Sequence, residues 1–256
     1  MQDCSIVPIR SSDPHEVRVA VRRDGAAVLT GWGTTADDAR AAALAVFGDD
    51  VLAVPDPARV FEGGEGDERP FGPSEPLPLH TDGFAYGALA CDHLLLVCVV
   101  DGATGGESVL VDGARLVDAL ADVDPELHSF ATAVPVDQGE PGMHPFVCPL
   151  VSQRTNGRLV VRRPGWITAD PASVDPEGDA ALLQRWADVT EAQRVAAQRF
   201  RLAPGDVVVV DNDRVLHSRD AYTGDRLLWR VWIWTTDADG LPPGVLHSDS
   251  RYARTA

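Results

Sequence analysis

Two histidines lie far apart in the chain, His80 in LPLHTDGFAYG and His217 in DVVVVDNDRVLHS, and each sits beside residues with strand character. In an extended strand the side chains at i and i+2 share a face. His80 and Asp82 can therefore direct an imidazole nitrogen and a carboxylate oxygen at one point while Thr81 faces away. A third ligand for that point has to come from a distant strand. If His217 supplies it, the fold must bring a late strand back beside an early one.

The rest of the chain is suited to such a β core. GAAVLTGW (25–32) reads as a short strand and TTADDARAAALAVFG as a helix capped by Thr or Asp. Residues 55–79, with several Pro and Gly and the run EGGEGDE, read as a mobile loop that delivers the chain to His80. HLLLVCVV (93–100) and SVLVDG (108–113) read as a hairpin of buried strands around the turn DGATGG, and ARLVDALADVD as a short amphipathic helix. RLVVRR (158–163) is a further strand. Leu182, Leu183, Trp186, Val189 and Val195 recur at three-to-four spacing and mark a long helix within 176–200. DVVVVD and RLLWRVWIWTTD are strong strands flanking a loop that carries His217. Strands and helices do not alternate regularly, so a mainly β core with flanking helices fits better than a doubly wound parallel sheet.

At 256 residues and 45% hydrophobic content the chain can fill one domain over 1–256, and no repeat or linker divides it. Lys plus Arg number 22 against 39 for Asp plus Glu, a net charge of −17 that opposes nucleic acid and anionic membranes as partners. A small-molecule substrate fits this balance, and a homo-oligomer is compatible with it. Cys4, Cys91, Cys98 and Cys148 show no zinc-knuckle spacing, and Cys98 lies in an apolar run as a buried free thiol. With no basic-apolar leader at the start and no run of membrane-spanning length, a reducing cytoplasm is the expected location.

Taken alone, a His-x-Asp triplet is weak evidence, because a strand histidine commonly satisfies a local hydrogen bond. Here the triplet follows a Pro-rich segment and is answered downstream by a histidine with arginines after it. Two histidines and one carboxylate form the ligand set of non-haem Fe(II) oxygenases, which leaves the opposite coordination positions open. Arg226 and Arg230 lie four apart in DRLLWRVWIW and so share a strand face. Guanidiniums facing one way in a Trp-rich strand call for an anion, and a dicarboxylate accepts paired hydrogen bonds from Arg. Without the histidines, pairing with surface carboxylates would explain them. His15 lies in a polar early segment and His128 on a helix, His93, His144 and His247 have no partner at ligand spacing, and Asp211 and Asn212 read as shaping the turn before His217.

The order LPLHTDG, GGES-V-LVDG, LAPGDVVVVDNDRVLHSRDAYTGDRLLWR resembles the taurine dioxygenase-like superfamily of Fe(II)/2-oxoglutarate-dependent oxygenases, and within it the γ-butyrobetaine hydroxylase branch. The resemblance runs from about residue 76 to the end. It implies a double-stranded β-helix, a jelly roll of two facing sheets with the metal between them. It also implies that His80, Asp82 and His217 ligate Fe(2+), and that Arg226 with Ser108 holds the far carboxylate of 2-oxoglutarate. Arg230 would contact the near carboxylate or an acidic group of the substrate. The implied activity is that of a dioxygenase, with O2 and 2-oxoglutarate as cosubstrates and succinate and CO2 as products, and with hydroxylation of an unactivated carbon as the default outcome. Related halogenases replace the carboxylate ligand, so Asp82 disfavours halogenation.

Substrate contacts are less defined. Phe84, Tyr86 and Trp166 are candidates for the pocket wall, although core packing explains aromatic residues equally well. Arg162, Arg163 and Arg230 point to a carboxylate-bearing small molecule such as an amino acid or a derivative, while adjacent strand positions put one of Arg162 and Arg163 on the outer face. Two other readings stand beside the oxygenase: a non-catalytic jelly-roll metal-binding or sensor protein, and a cupin-like zinc hydrolase in which the same ligands activate water.

Overall fold

The computed structural model of the protein describes residues 2–61, 75–101, 104–139, 145–163 and 166–249. Two sheets carry the architecture. The larger has the strand order Ile9–Ser11, Ala26–Leu29, Val207–Asp211, His93–Asp101, Arg226–Thr235, Val51–Ala53, with Ala58–Phe61 also paired to Arg226–Thr235. The smaller runs Arg199–Phe200, Ser108–Asp112, Val215–Arg219, Leu77–His80.

Side-chain alternation sorts these strands into layers. Leu94, Cys98, Val208, Val210, Leu228, Trp232 and Trp234 from the larger sheet pack with Leu110 and Val215 from the smaller, forming the inter-sheet core. The intervening residues Leu95, Val97, Val207, Val209, Val231 and Ile233 face outward and are covered by helices α1 (Pro14–Asp24) and α2 (Ala36–Phe47). On the far side, Leu79, Val109, Val111 and Leu216 pack under α3 (Gly113–Val123), α4 (Pro125–Ala133) and α5 (Pro176–Ala196). The order is thus helices, large sheet, small sheet, helices.

The helices begin where their caps dictate. Thr35 and Asp38 form a reciprocal capping box on α2. Helix α1, not anticipated from the sequence, has Asp13 as its N-cap, Pro at the first turn and Gly25 in the left-handed conformation at its end.

Three expectations change. His93–Asp101 and Ser108–Asp112 do not pair as a hairpin; the first lies between Val207–Asp211 and Arg226–Thr235, the second between Arg199–Phe200 and Val215–Arg219. Both strands are largely buried, so each takes neighbours on both sides, and the chain crosses from one sheet to the other. His217 stands in a strand, Val215–Arg219, rather than in a loop. Of the 55–79 segment read as a loop, 62–74 lies outside the described residues, while Ala58–Phe61 and Leu77–His80 are strands.

Candidate metal centre

His80 and His217 face each other across the antiparallel pair Leu77–His80 and Val215–Arg219, at directly opposed register positions. Their neighbours Leu79 and Leu216 point to the outer core, so both imidazoles point between the sheets. The ring centroids are 4.1 Å apart. Leu77–His80 is the edge strand of its sheet, and the register shifts between the His217–His80 and Arg219–Leu77 pairs. Pro78, which has no N–H to donate, is tolerated there. Its carbonyl accepts a hydrogen bond from His80 Nδ1 at 2.9 Å, which turns Nε2 of the ring toward Asp82.

Asp82 lies just past the strand, fixed by its main chain. Asn212 Oδ1 accepts from the Asp82 N–H at 2.9 Å, and Asn212 Nδ2 donates to the carbonyls of Asp82 at 3.0 Å and Cys91 at 2.9 Å. Gly83 follows with φ +88, where a Cβ would press on the Cys91 main chain, so the HTDG sequence needs its glycine. Asp82 Oδ1 then sits 3.5 Å from His80 Nε2 and 3.7 Å from His217 Nε2. One ligand atom from each of the three residues falls within 4.8 Å of the others, the one such grouping among the described residues.

The electrostatics leave these atoms unprotonated. Burial, with the neighbouring His80 next, lowers the His217 imidazole to about 3, against the pull of Asp82. Burial likewise lowers His80, opposed by Asp82 and the Pro78 carbonyl. For Asp82 burial acts upward, but Arg230, then His217, His80 and the Trp232 indole outweigh it and bring the carboxyl to about 2. At neutral pH the centre presents two neutral imidazoles and one carboxylate, the protonation state a divalent metal requires. His217 Nδ1 is buried without a hydrogen-bond partner among the described residues. The donor types, their convergence and their protonation fit a ferrous ion.

A cavity of about 70 Å³ opens over the triad, and its wall includes Ser108, Arg226 and Arg230 together with Val60, Leu96 and Leu228. Arg226 and Arg230 alternate with Leu227 and Trp229 along Arg226–Thr235 and share the inward face. Arg226 stacks 5.7 Å from the Tyr222 ring. Arg230 is engaged closer to the triad: Nε donates to the Ser248 carbonyl at 3.0 Å and Nη1 lies 3.4 Å from Asp82 Oδ2.

The aromatic candidates scatter. Tyr86 packs edge-on against Trp232 and Trp234, with centroids 5.9 and 5.7 Å away. Trp166 is half-buried and does not border the triad cavity. The side chain of Phe84 lies outside the described residues. Arg162 Nη1 donates to the Gly87 carbonyl at 3.4 Å and Arg163 Nε to Thr190 Oγ1 at 3.1 Å, and neither borders this cavity. Sequence reasoning missed the Asn212 clamp and the indole of Trp232, which donates to Asp82 Oδ2 at 2.8 Å. The even spacing of Arg226, Arg230 and Trp232 was the available signal for the latter.

A jelly-roll pair of sheets enclosing two histidines, a carboxylate and a cationic wall has the make-up of a mononuclear non-haem metal centre. The chain belongs to the taurine catabolism dioxygenase TauD, TfdA family, whose model matches residues 5–232. It is 32% identical over 159 residues to γ-butyrobetaine dioxygenase of Pseudomonas sp. (strain AK-1), covering 59% of this chain and 41% of that protein. It is 31% identical over 177 residues to clavaminate synthase 2 of Streptomyces clavuligerus, covering 64% of this chain and 51% of that one. The chain thus spans about half or less of the length of these curated relatives. Among solved structures, asparagine oxygenase in complex with Fe(II), 2S,3S-3-hydroxyasparagine and succinate shares the fold, with a TM-score of 0.61, 20% identity and coverage of 93% and 84% of the two chains.

Proposed function

We propose that this chain is an Fe(II)/2-oxoglutarate-dependent dioxygenase that hydroxylates an unactivated carbon of a small carboxylate-bearing metabolite, such as an amino acid or a derivative, with release of succinate and CO2. The observation that carries the reading is the convergence of His80, Asp82 and His217 beneath a cavity whose wall holds Arg226. The structure of asparagine oxygenase with a hydroxylated amino acid and succinate supports the substrate class.

In this reading His80 Nε2, His217 Nε2 and Asp82 Oδ1 hold the ferrous ion on one face. When bound, the ion together with 2-oxoglutarate supplies the electrons that activate O2 toward a C–H bond. Arg226 and Ser108 grip the far carboxylate of 2-oxoglutarate, the guanidinium offering paired donors that fix its direction. Arg230, already beside Asp82, places a second positive charge at the near end of the cavity. Val60, Leu96 and Leu228 add apolar wall beside these arginines, and a less polar surrounding strengthens each of these contacts. Of the aromatic candidates, Tyr86 is kept as a substrate contact in this reading, because it packs against Trp232 beside Asp82. The reading treats 1–256 as one catalytic domain. It also keeps the enzyme in the cytoplasm, as the four free cysteines favour.

A turnover screen across amino acids and related carboxylates, scored by succinate, tests the proposal. Succinate formation that depends on one substrate class supports it. A protein that binds Fe(II) and 2-oxoglutarate but forms no succinate with any of them, coupled or uncoupled, would instead be a sensor.

A further inference from the structure

The two oxygens of Asp82 have different surroundings. Oδ1 faces both histidine Nε2 atoms, at 3.5 and 3.7 Å. Oδ2 turns away and accepts the Trp232 indole N–H at 2.8 Å, with Arg230 Nη1 at 3.4 Å. The indole cannot move aside easily. Trp232 is 2% exposed and wedged between the edges of Tyr86 and Trp234, with ring centroids at 5.9 and 6.4 Å. Its strand position is set as well, because the Trp232 N–H donates to Ser248 Oγ at 3.0 Å. The main chain of Asp82 is held independently by Asn212.

We propose that Trp232 is a positioning residue that restricts Asp82 to ligation through Oδ1 alone, so that three positions of a six-coordinate metal stay open. A carboxylate free to turn can ligate through both oxygens and occupy one of those positions. An indole N–H is suited to preventing this. It is a donor only, it does not titrate, and it cannot itself ligate the metal. Arg230 adds charge at the same oxygen but has a flexible stem and a second partner in Ser248, so the direction of the carboxylate is set by the tryptophan.

The inference rests on the triad binding a divalent metal, and the test separates the two. Co(II) is titrated into the metal-free protein of residues 1–256, followed by absorption and calorimetry, and 2-oxoglutarate is then titrated into the Co(II)-loaded protein. Wild type is compared with W232F and with a protein carrying benzothienylalanine at 232, which keeps the bicyclic shape and lacks the N–H. If the wild type takes up no Co(II), the proposed function fails. If it does, the isosteric variant is expected to bind Co(II) with an affinity changed by about 10-fold or more, the scale on which outer partners of metal ligands act. Its Co(II) spectrum should shift and its 2-oxoglutarate affinity should fall by a similar factor. Unchanged affinities and an unchanged spectrum in the isosteric variant would overturn the proposal. That variant decides the matter even if W232F does not fold, since a packing role alone would leave it like wild type.

Discussion

The chain buries two neighbouring sets of histidine and aspartate, and they end in opposite states. At the triad, Asp82 Oδ1 lies 3.5 and 3.7 Å from two imidazole nitrogens, too far for a shared proton and well spaced for an ion between them. Ten residues on, Asp92 Oδ2 lies 2.9 Å from His93 Nδ1, a hydrogen-bonded pair. Asp92 also accepts from the Thr235 N–H at 2.9 Å and from the Thr235 hydroxyl. Burial alone would lower His93, but its bond to Asp92 outweighs that and raises it, whereas burial and a second imidazole push His217 down to about 3. The residue types are the same. What differs is whether the lone pairs are already used, and only the first set leaves acceptors converging on one point.

Removing a triad ligand should separate the two regions most sharply. H217A is expected to weaken Fe(II) or Co(II) binding by more than the ~10–100-fold that outer partners contribute, and to abolish succinate formation. H93Q should leave metal affinity nearly unchanged by calorimetry but destabilise the fold by about 1–3 kcal/mol in urea unfolding, because the buried Asp92 carboxylate loses one of its hydrogen-bond partners and keeps those from Thr235. Loss of metal binding in H93Q with H217A unaffected would reverse the assignment of the two sets.

Next in size is the cosubstrate anchor. R226A should raise the KM for 2-oxoglutarate by about 10- to 100-fold, the scale of a charged hydrogen-bonded pair, with metal affinity retained. R226K should recover only part of this, since an ammonium lacks the paired donors.

The smallest effect is in the pH dependence of stability, and here the two regions should act with opposite sign. His217 and His80 have folded values below the ordinary 6.5, so below that pH the unfolded chain binds more protons than the folded one. Their contribution is full above 6.5 and is lost as pH falls toward about 3. His93 is raised, so its contribution is full below 6.5 and is lost as pH rises through its folded value. In metal-free protein, H217Q should flatten the decline of Tm on the acid side of 6.5, and H93Q should flatten the decline on the alkaline side. Calorimetric melts across pH 4–9 would show whether the slopes separate in this way.

Much of this arrangement was legible in the sequence, because strand periodicity fixes which side chains share a face. His80 with Asp82, and Arg226 with Arg230, follow from period two alone. Helix α2 was legible from its cap and alanine-rich face. Helix α1 was not read, although Asp13, Pro14 and Gly25 mark its ends, since its exposed Arg and Glu residues dilute the apolar repeat. The crossing of the chain between sheets after Asp101 left no local sign, because a buried strand looks the same whichever sheet receives it. His93 was set aside for want of a ligand partner, although its hydrogen-bond partner was the adjacent Asp92; spacing rules for metal sites do not register a neighbour in sequence whose side chain turns back. Asn212 was read as a turn former, and its grip on Asp82 depends on a contact between residues 82 and 212 that only the fold creates.

The most direct test of the central claim is the anaerobic visible spectrum of the Fe(II) protein on addition of 2-oxoglutarate. A charge-transfer band is expected in wild type and in H93Q, with none in H217A and a weakened titration in R226A. A wild-type protein that binds Fe(II) and 2-oxoglutarate yet stays colourless would contradict that claim.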